Sequence, residues 1–230
     1  MGRSEDKVFT ERLFERVEPI WNSYLEHPFV KGLGDGTLDL EKFKHWLKQD
    51  YIYLIEYARL FAVGASKATD LAMMTTFGEL LHGTLATEMA LHRSYAAQFG
   101  ITQEELEAVQ AAEVTESYTS YMLKMAHQGG VEYTIAAVLA CTWSYHYIGE
   151  HLAASNNNPG VYQEWVDMYH SPEFTELKDD CIRLMNEAAE GKSEAELKVL
   201  EEIVVKTSYY EYLFWDMAEN ISNWPCKETV

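Results

Sequence analysis

YTIAAVLACTW, from Tyr133 to Trp143, is the most apolar run in the chain. It is about half as long as the ~20 apolar residues that a bilayer requires. Because it is rich in Ala and carries Cys and Trp at its end, it reads as the centre of a buried helix, spanning Val131 to Ala153. Outward from it the pattern is the same. The five prolines stand early or between periodic segments, and the intervals are filled with Leu, Ala, Glu, Lys, Met and aromatics, all compatible with helix. No stretch alternates β-branched and polar residues for more than a few places, so no strand is expected.

The first predicted helix covers Asp6 to Leu25, where Phe9, Leu13, Phe14, Val17 and Trp21 recur at three- and four-residue steps. A second starts near Asp39 and reaches Lys67, and a third runs from Asp70 to Phe99 before Gly100. Thr102-x-x-Glu105 and Ser193-x-x-Glu196 read as capping boxes, while Asn158-Pro159 and Ser171-Pro172 pair a capping residue with proline at the first helical position. Further helices are expected at Val114 to Gln128, Pro159 to Tyr169, Pro172 to Ala189 and Glu194 to Asn220. Gly32-x-Gly34-x-Gly36 has neither a preceding strand nor a following Gly-Lys-Ser/Thr, so it fails the context of a phosphate cradle and reads as a helix-to-helix turn. The fold class is therefore all-α, a compact bundle of about eight or nine helices in a single domain over residues 1–230.

Of 230 residues, 47% are hydrophobic and 13% aromatic, and 18 Lys+Arg stand against 37 Asp+Glu for a net charge of -19. A chain of this length buries a core of ordinary size. Its charge speaks against nucleic-acid partners and anionic membrane surfaces, since both need clustered basic residues. MGRSEDK lacks the apolar core of a signal peptide, and Cys226 stands one place too early for a prenylation tail. A cytoplasmic address is the simplest expectation. The three cysteines, Cys141, Cys181 and Cys226, are odd in number and outside any C-x-x-C, so free thiols are expected rather than disulfides or a zinc site.

Sites in helical bundles are built from inward-facing side chains of several helices. Asp50, Tyr53 and Tyr57 share one face of the second helix at i, i+3 and i+7, and a carboxylate on that face is either buried with partners or functional. Cys141 lies on the most apolar helix with Tyr145 at i+4. It is either a small core residue or a thiol activated by hydrogen-bonding neighbours, because mid-helix no dipole acts on it. Glu211, within SYYEYLFW, is either a solvated acid or a carboxyl whose pKa an apolar pocket raises. Tyr118, Tyr121 and Tyr169 form a fourth set, read as phenols on separate helices whose hydroxyls need partners if buried. A di-iron site would require two Glu-x-x-His pairs and further glutamates. Only Glu79-x-x-His82 fits; Glu88 with His92 and His146 with Glu150 are i,i+4 pairs, and no metal is expected.

HPFVKGLGDGTL, KQDYIYL, EMALH (Glu88 to His92), SYTSYM, the CxWxYxxxGE pattern from Cys141 to Glu150, and SYYEYLFW occur in this order. Together they resemble the TenA or thiaminase II family, from about Val8 to Ala218. The resemblance implies a haem-oxygenase-like fold, usually a homotetramer, working without metal or organic cofactor. It further implies hydrolysis at the exocyclic methylene of a 4-amino-2-methylpyrimidine, either thiamine or 4-amino-5-aminomethyl-2-methylpyrimidine. By resemblance Cys141 is the nucleophile, Asp50 grips the aminopyrimidine edge and Glu211 is the acid/base. Tyr53, Tyr118, Tyr145 and Tyr169 are pocket tyrosines, and Phe214 stacks on the ring. Competing readings are an oxidase on the same fold, a regulator acting through a protein partner, and a pyrimidine-binding module.

Overall fold

Residues 8–155 and 157–225 are described by a computed structural model. Among them there is no strand. The helices are α1 (Phe9–Leu25), α2 (Pro28–Asp35), α3 (Leu40–Lys67), α4 (Leu71–His82), α5 (Met89–Gln98), α6 (Gln103–Glu107), α7 (Glu113–Gln128), α8 (Val131–Ala154), α9 (Gln163–Tyr169), α10 (Pro172–Ala189) and α11 (Glu194–Asn220). A π-helical turn, Gly83–Glu88, joins α4 to α5, and a 3₁₀ turn, Gly160–Tyr162, leads into α9. The predicted start at Asp6, the MGRSEDK segment and Cys226 lie outside the described residues. No described helix is long and apolar enough to cross a membrane.

α8 is the axis of the bundle. It packs against α1, α3, α7, α9, α10 and α11, and each residue from Ile135 to Ala140 is at most 2% exposed. A helix covered on all sides needs no polar face, which is why the Tyr133 to Trp143 run is uniformly apolar. The surrounding helices are one-sided. α1, for example, buries Leu13, Val17 and Trp21 and keeps Pro19 on its exposed side, where the hydrogen bond that proline cannot donate faces water.

Three of the expected caps form, whereas Asn158-Pro159 does not open α9: Pro159 precedes the 3₁₀ turn, and α9 begins only at Gln163 with Tyr162 at its N-cap. The Thr102 and Ser193 side chains accept from the backbone N–H groups of Glu105 and Glu196, whose carboxylates reach back to the cap backbone. Ser171 Oγ accepts from Phe174 N–H at 3.1 Å to open α10.

Two further expectations need correction. The Gly32 to Gly36 stretch is not a turn between helices but the second half and C-cap of a helix of its own, α2, started by Pro28 at its first position and by His27, whose Nδ1 accepts from Phe29 N–H at 3.2 Å. A Cβ on Gly32 would lie 3.0 Å from the Leu38 backbone, and one on Gly34 would lie 2.7 Å from Leu152 Cδ2 on α8. Those glycines serve close packing, and only Gly36, at φ 76°, supplies the left-handed residue that ends the helix. The Asp70 to Phe99 stretch is likewise not one regular helix, because the π turn interrupts it. Such turns are rare and recur at functional sites.

Candidate active site

Six of the residues singled out by sequence, Tyr57 among them, converge on one cavity. Asp50 and Tyr53 reach it from α3, Cys141 and Tyr145 from α8, and Tyr169 from the end of α9. Tyr57, Glu88, Thr142 and the apolar Leu54, Phe174 and Leu177 complete its wall. The cavity is narrow, about 20 Å³, and it adjoins a wider cleft of about 480 Å³ with which it shares Glu88 and Tyr169. No cysteine lines the wider cleft; Cys141 lines the narrow one.

Cys141 sits mid-helix on α8 and is partly open to the cavity. Its thiol pKa lies well above the ordinary value, first because burial disfavours the thiolate and next because Glu211 is close, while a hydrogen bond from Tyr53 opposes the rise. The resting group is a thiol. Glu211, on α11, is 2% exposed, and its Oε1 accepts the Tyr118 hydroxyl at 2.6 Å. Burial raises its pKa to about 8, with hydrogen bonds from Tyr118 and Cys141 opposing and Asp50 adding to the rise. It therefore keeps its proton near neutral pH, and the reading of Glu211 as a solvated acid is set aside.

Asp50 faces the cavity from the other side. His92, on α5, places Nε2 3.1 Å from Asp50 Oδ2, with both side chains buried. The π turn and the start of α5 thus bring Glu88 and His92, four residues apart, to bear on α3. Glu88 is half-buried, and its carboxyl is raised to about 8 by desolvation and then by the charge of Asp50. Among the described residues no group of three or more His, Cys, Asp or Glu side chains is placed to hold a metal.

The aromatic residues divide by role. Tyr53 and Tyr57 stack at 5.5 Å, and the Tyr57 hydroxyl lies 2.6 Å from Thr142 Oγ1 and donates to Val138 O at 2.9 Å. Tyr145 and Tyr169 meet at 4.8 Å. Tyr118 stands behind Glu211, and Phe214 packs edge-on to Tyr53 at 5.8 Å; neither borders the cavity itself. Tyr118 and Tyr121 turn out to share α7, and Tyr121, half-buried, packs on Tyr210 away from the cavity.

Tyr169 is held by a close approach of α8 and α9. A Cβ on Gly149 would stand 2.7 Å from the Tyr169 carbonyl carbon, an atom that cannot swing away as a side-chain tip can. Gly149→Ala is expected to destabilise the fold by roughly 1–3 kcal/mol, the usual scale of overpacking. Thermal unfolding would register it, and an unchanged Tm would show that α9 shifts freely.

Sequence reading did not place Glu88 and His92 in the site. Their signals are an i,i+4 spacing, weighed for metal binding and not for a shared approach to Asp50, and the EMALH motif, to which no role is attached.

An all-helical bundle that gathers a mid-helix thiol, two high-pKa carboxyls and a histidine-held aspartate in and beside one cavity defines a class of all-α proteins with a thiol- and carboxyl-bearing internal site. The chain belongs to the TENA/THI-4/PQQC family, whose pattern it matches over residues 14–220. It is 50% identical to an aminopyrimidine aminohydrolase of Halalkalibacterium halodurans over 94% of this chain and 97% of that protein. An aminopyrimidine aminohydrolase of Helicobacter pylori is 39% identical over 91% and 97%. Among solved structures, a TenA homologue from P. horikoshii superposes with TM-score 0.86 at 30% identity, covering 93% of this chain and 99% of that one. A Shewanella denitrificans domain described as having a haem-oxygenase-like fold gives TM-score 0.74 at 15% identity, over 92% of each chain. The fold is haem-oxygenase-like.

Proposed function

We propose that the chain is an aminopyrimidine aminohydrolase of thiamine salvage. It would replace the exocyclic substituent of a 4-amino-2-methylpyrimidine by hydroxyl, acting on the aminomethyl compound to release ammonia or on thiamine to release the thiazole. The observation that carries this reading is the placement of Cys141 between Glu211 and the cavity that Asp50 faces, in a chain that is 50% identical to a protein named for that activity.

The residues suit the chemistry. Asp50, fixed by His92, offers acceptors to the amino edge of the ring. The sulfur of Cys141 forms a bond to ring C6, and its proton passes by way of Glu211 to the adjacent ring nitrogen. With the aromatic sextet broken, electrons of the 4-amino nitrogen expel the substituent and leave an exocyclic methylene. Water adds there, the proton returns to sulfur, and departure of the thiol restores the ring. The buried, protonated Glu211 is a positioned acid for this step. Seating a ring in so narrow a cavity requires wall side chains to give way, and Tyr169 and Glu88 stand where the cavity meets the wider cleft. The homotetramer implied by the family resemblance and the cytoplasmic address expected from the N-terminal sequence are part of this reading.

The test is turnover. Purified protein incubated with each compound in the presence of a chelator is expected to yield hydroxymethylpyrimidine, with ammonia from one substrate and thiazole from the other. Absence of product from both would overturn the reading. Activity lost to the chelator would return attention to a metal.

A further inference from the structure

Of the four carboxyl and thiol groups in and beside the cavity, three are engaged by the protein. Asp50 is met by His92, and Glu211 by Tyr118 and Cys141. The fourth, Glu88, makes no hydrogen bond or ion pair among the described residues, although it borders the cavity directly. Glu88 is half-buried, and the described protein contacts leave the acceptors of its carboxyl open. The position is also distinctive. Glu88 ends the π-helical turn and belongs to both the narrow cavity and the wider cleft, so it stands at the passage between them. The cleft beyond adds Glu164, Asp167 and Glu173, which favour the approach of a cation.

We propose that Glu88 is the residue that receives the exocyclic amine: its carboxyl pairs with the aminomethyl nitrogen of the bound pyrimidine, and the one proton the two groups share leaves with the ammonia. The inference rests on the function proposed above and identifies the group that makes the site selective for an amine as leaving group. As the carbon–nitrogen bond breaks, its electron pair goes to nitrogen, the shared proton completes ammonia, and Glu88 is left as a carboxylate. It then takes a proton from the water that adds to the methylene and returns to its starting state. Thiamine presents a different case, because its thiazolium is already a cation and departs as a neutral thiazole without a proton.

Two measurements decide the point. In a Cys141→Ser background, where the ring binds without being cleaved, adding Glu88→Gln is expected to weaken binding of the aminomethylpyrimidine ~10-fold or more. That is the scale of one charge-assisted hydrogen bond. Affinity for 4-amino-2,5-dimethylpyrimidine, which has the ring but no amine, should change by less than about 3-fold on the same scale. With Cys141 intact, Glu88→Gln should lower the ratio of kcat/KM for the aminomethyl substrate to that for thiamine by ~10²-fold. Equal weakening of both pyrimidines, or an unchanged ratio, would overturn the inference and leave Glu88 a packing residue. If the wild-type protein cleaves neither compound, the proposed function fails, and the binding comparison still decides whether Glu88 holds the amine.

Discussion

Cys141→Ser is expected to bind the aminopyrimidine about as well as the wild-type protein and to turn it over ~10⁴-fold more slowly or not at all, on the scale seen when a covalent enzyme loses its nucleophile. The site explains why oxygen cannot stand in for sulfur. Burial and the neighbouring Glu211 already hold the thiol well above its ordinary pKa, so the group must surrender its proton in the act of addition. A hydroxyl starts far less acidic and meets the same desolvation. Sulfur is also the better partner for an aromatic carbon, since it is soft and polarisable. Binding should survive because the grip on the ring comes from Asp50 and the tyrosine walls, on other parts of the cavity. Single-turnover kinetics with calorimetric titration separate the two effects. Wild-type rates in the variant would end the covalent route; lost binding would make Cys141 a packing residue.

The legibility of this protein follows from which interactions are local. Helices whose caps and apolar stripes lie within one segment were readable: Ser193 to Glu196 opens α11 and Ser171-Pro172 opens α10 without reference to the rest of the chain. The covered axis, α8, was readable because a uniformly apolar run has few other uses. What escaped depends on partners distant in sequence. Gly32 and Gly34 look like loop residues until Leu38 and Leu152 are seen against them. The π turn between α4 and α5 changes the backbone path without a capping residue to announce it. In the site, Asp50, Cys141 and Glu211 stood out because each interrupts an apolar or aromatic face. Glu88 and His92 lie on α5 and its approach, in the mixed polar and apolar stretch Thr87 to Ser94, and only the fold brings His92 to Asp50.

Glu211→Gln is expected to do two opposite things: lower kcat by ~10²-fold or more, the usual contribution of a positioned acid/base, and raise stability at mildly alkaline pH. The second effect follows from the direction of the pKa shift. Folding moves the carboxyl from an ordinary value of 4.5 up to about 8. Below pH ~4.5 both folded and unfolded chains carry the proton and the group contributes nothing. As the pH rises, the unfolded chain releases its proton while the folded protein retains it, so the native state binds more protons and loses stability steadily until about pH 8. Glutamine is neutral throughout and still accepts from Tyr118. The variant's advantage in Tm should therefore be absent near pH 4 and grow toward pH 8, where each 1 kcal/mol moves Tm by about 2–4 °C in a chain of this size. Glu88 titrates in the same direction, so the wild-type curve alone cannot isolate Glu211, whereas the difference between the two proteins can. A pH-independent difference would mean that Glu211 is ionised in the folded state. An activity loss well below 10²-fold would reduce it to a support for Tyr118. Slower catalysis together with a pH-dependent gain in stability would identify a group kept in the fold for its chemistry at the expense of stability.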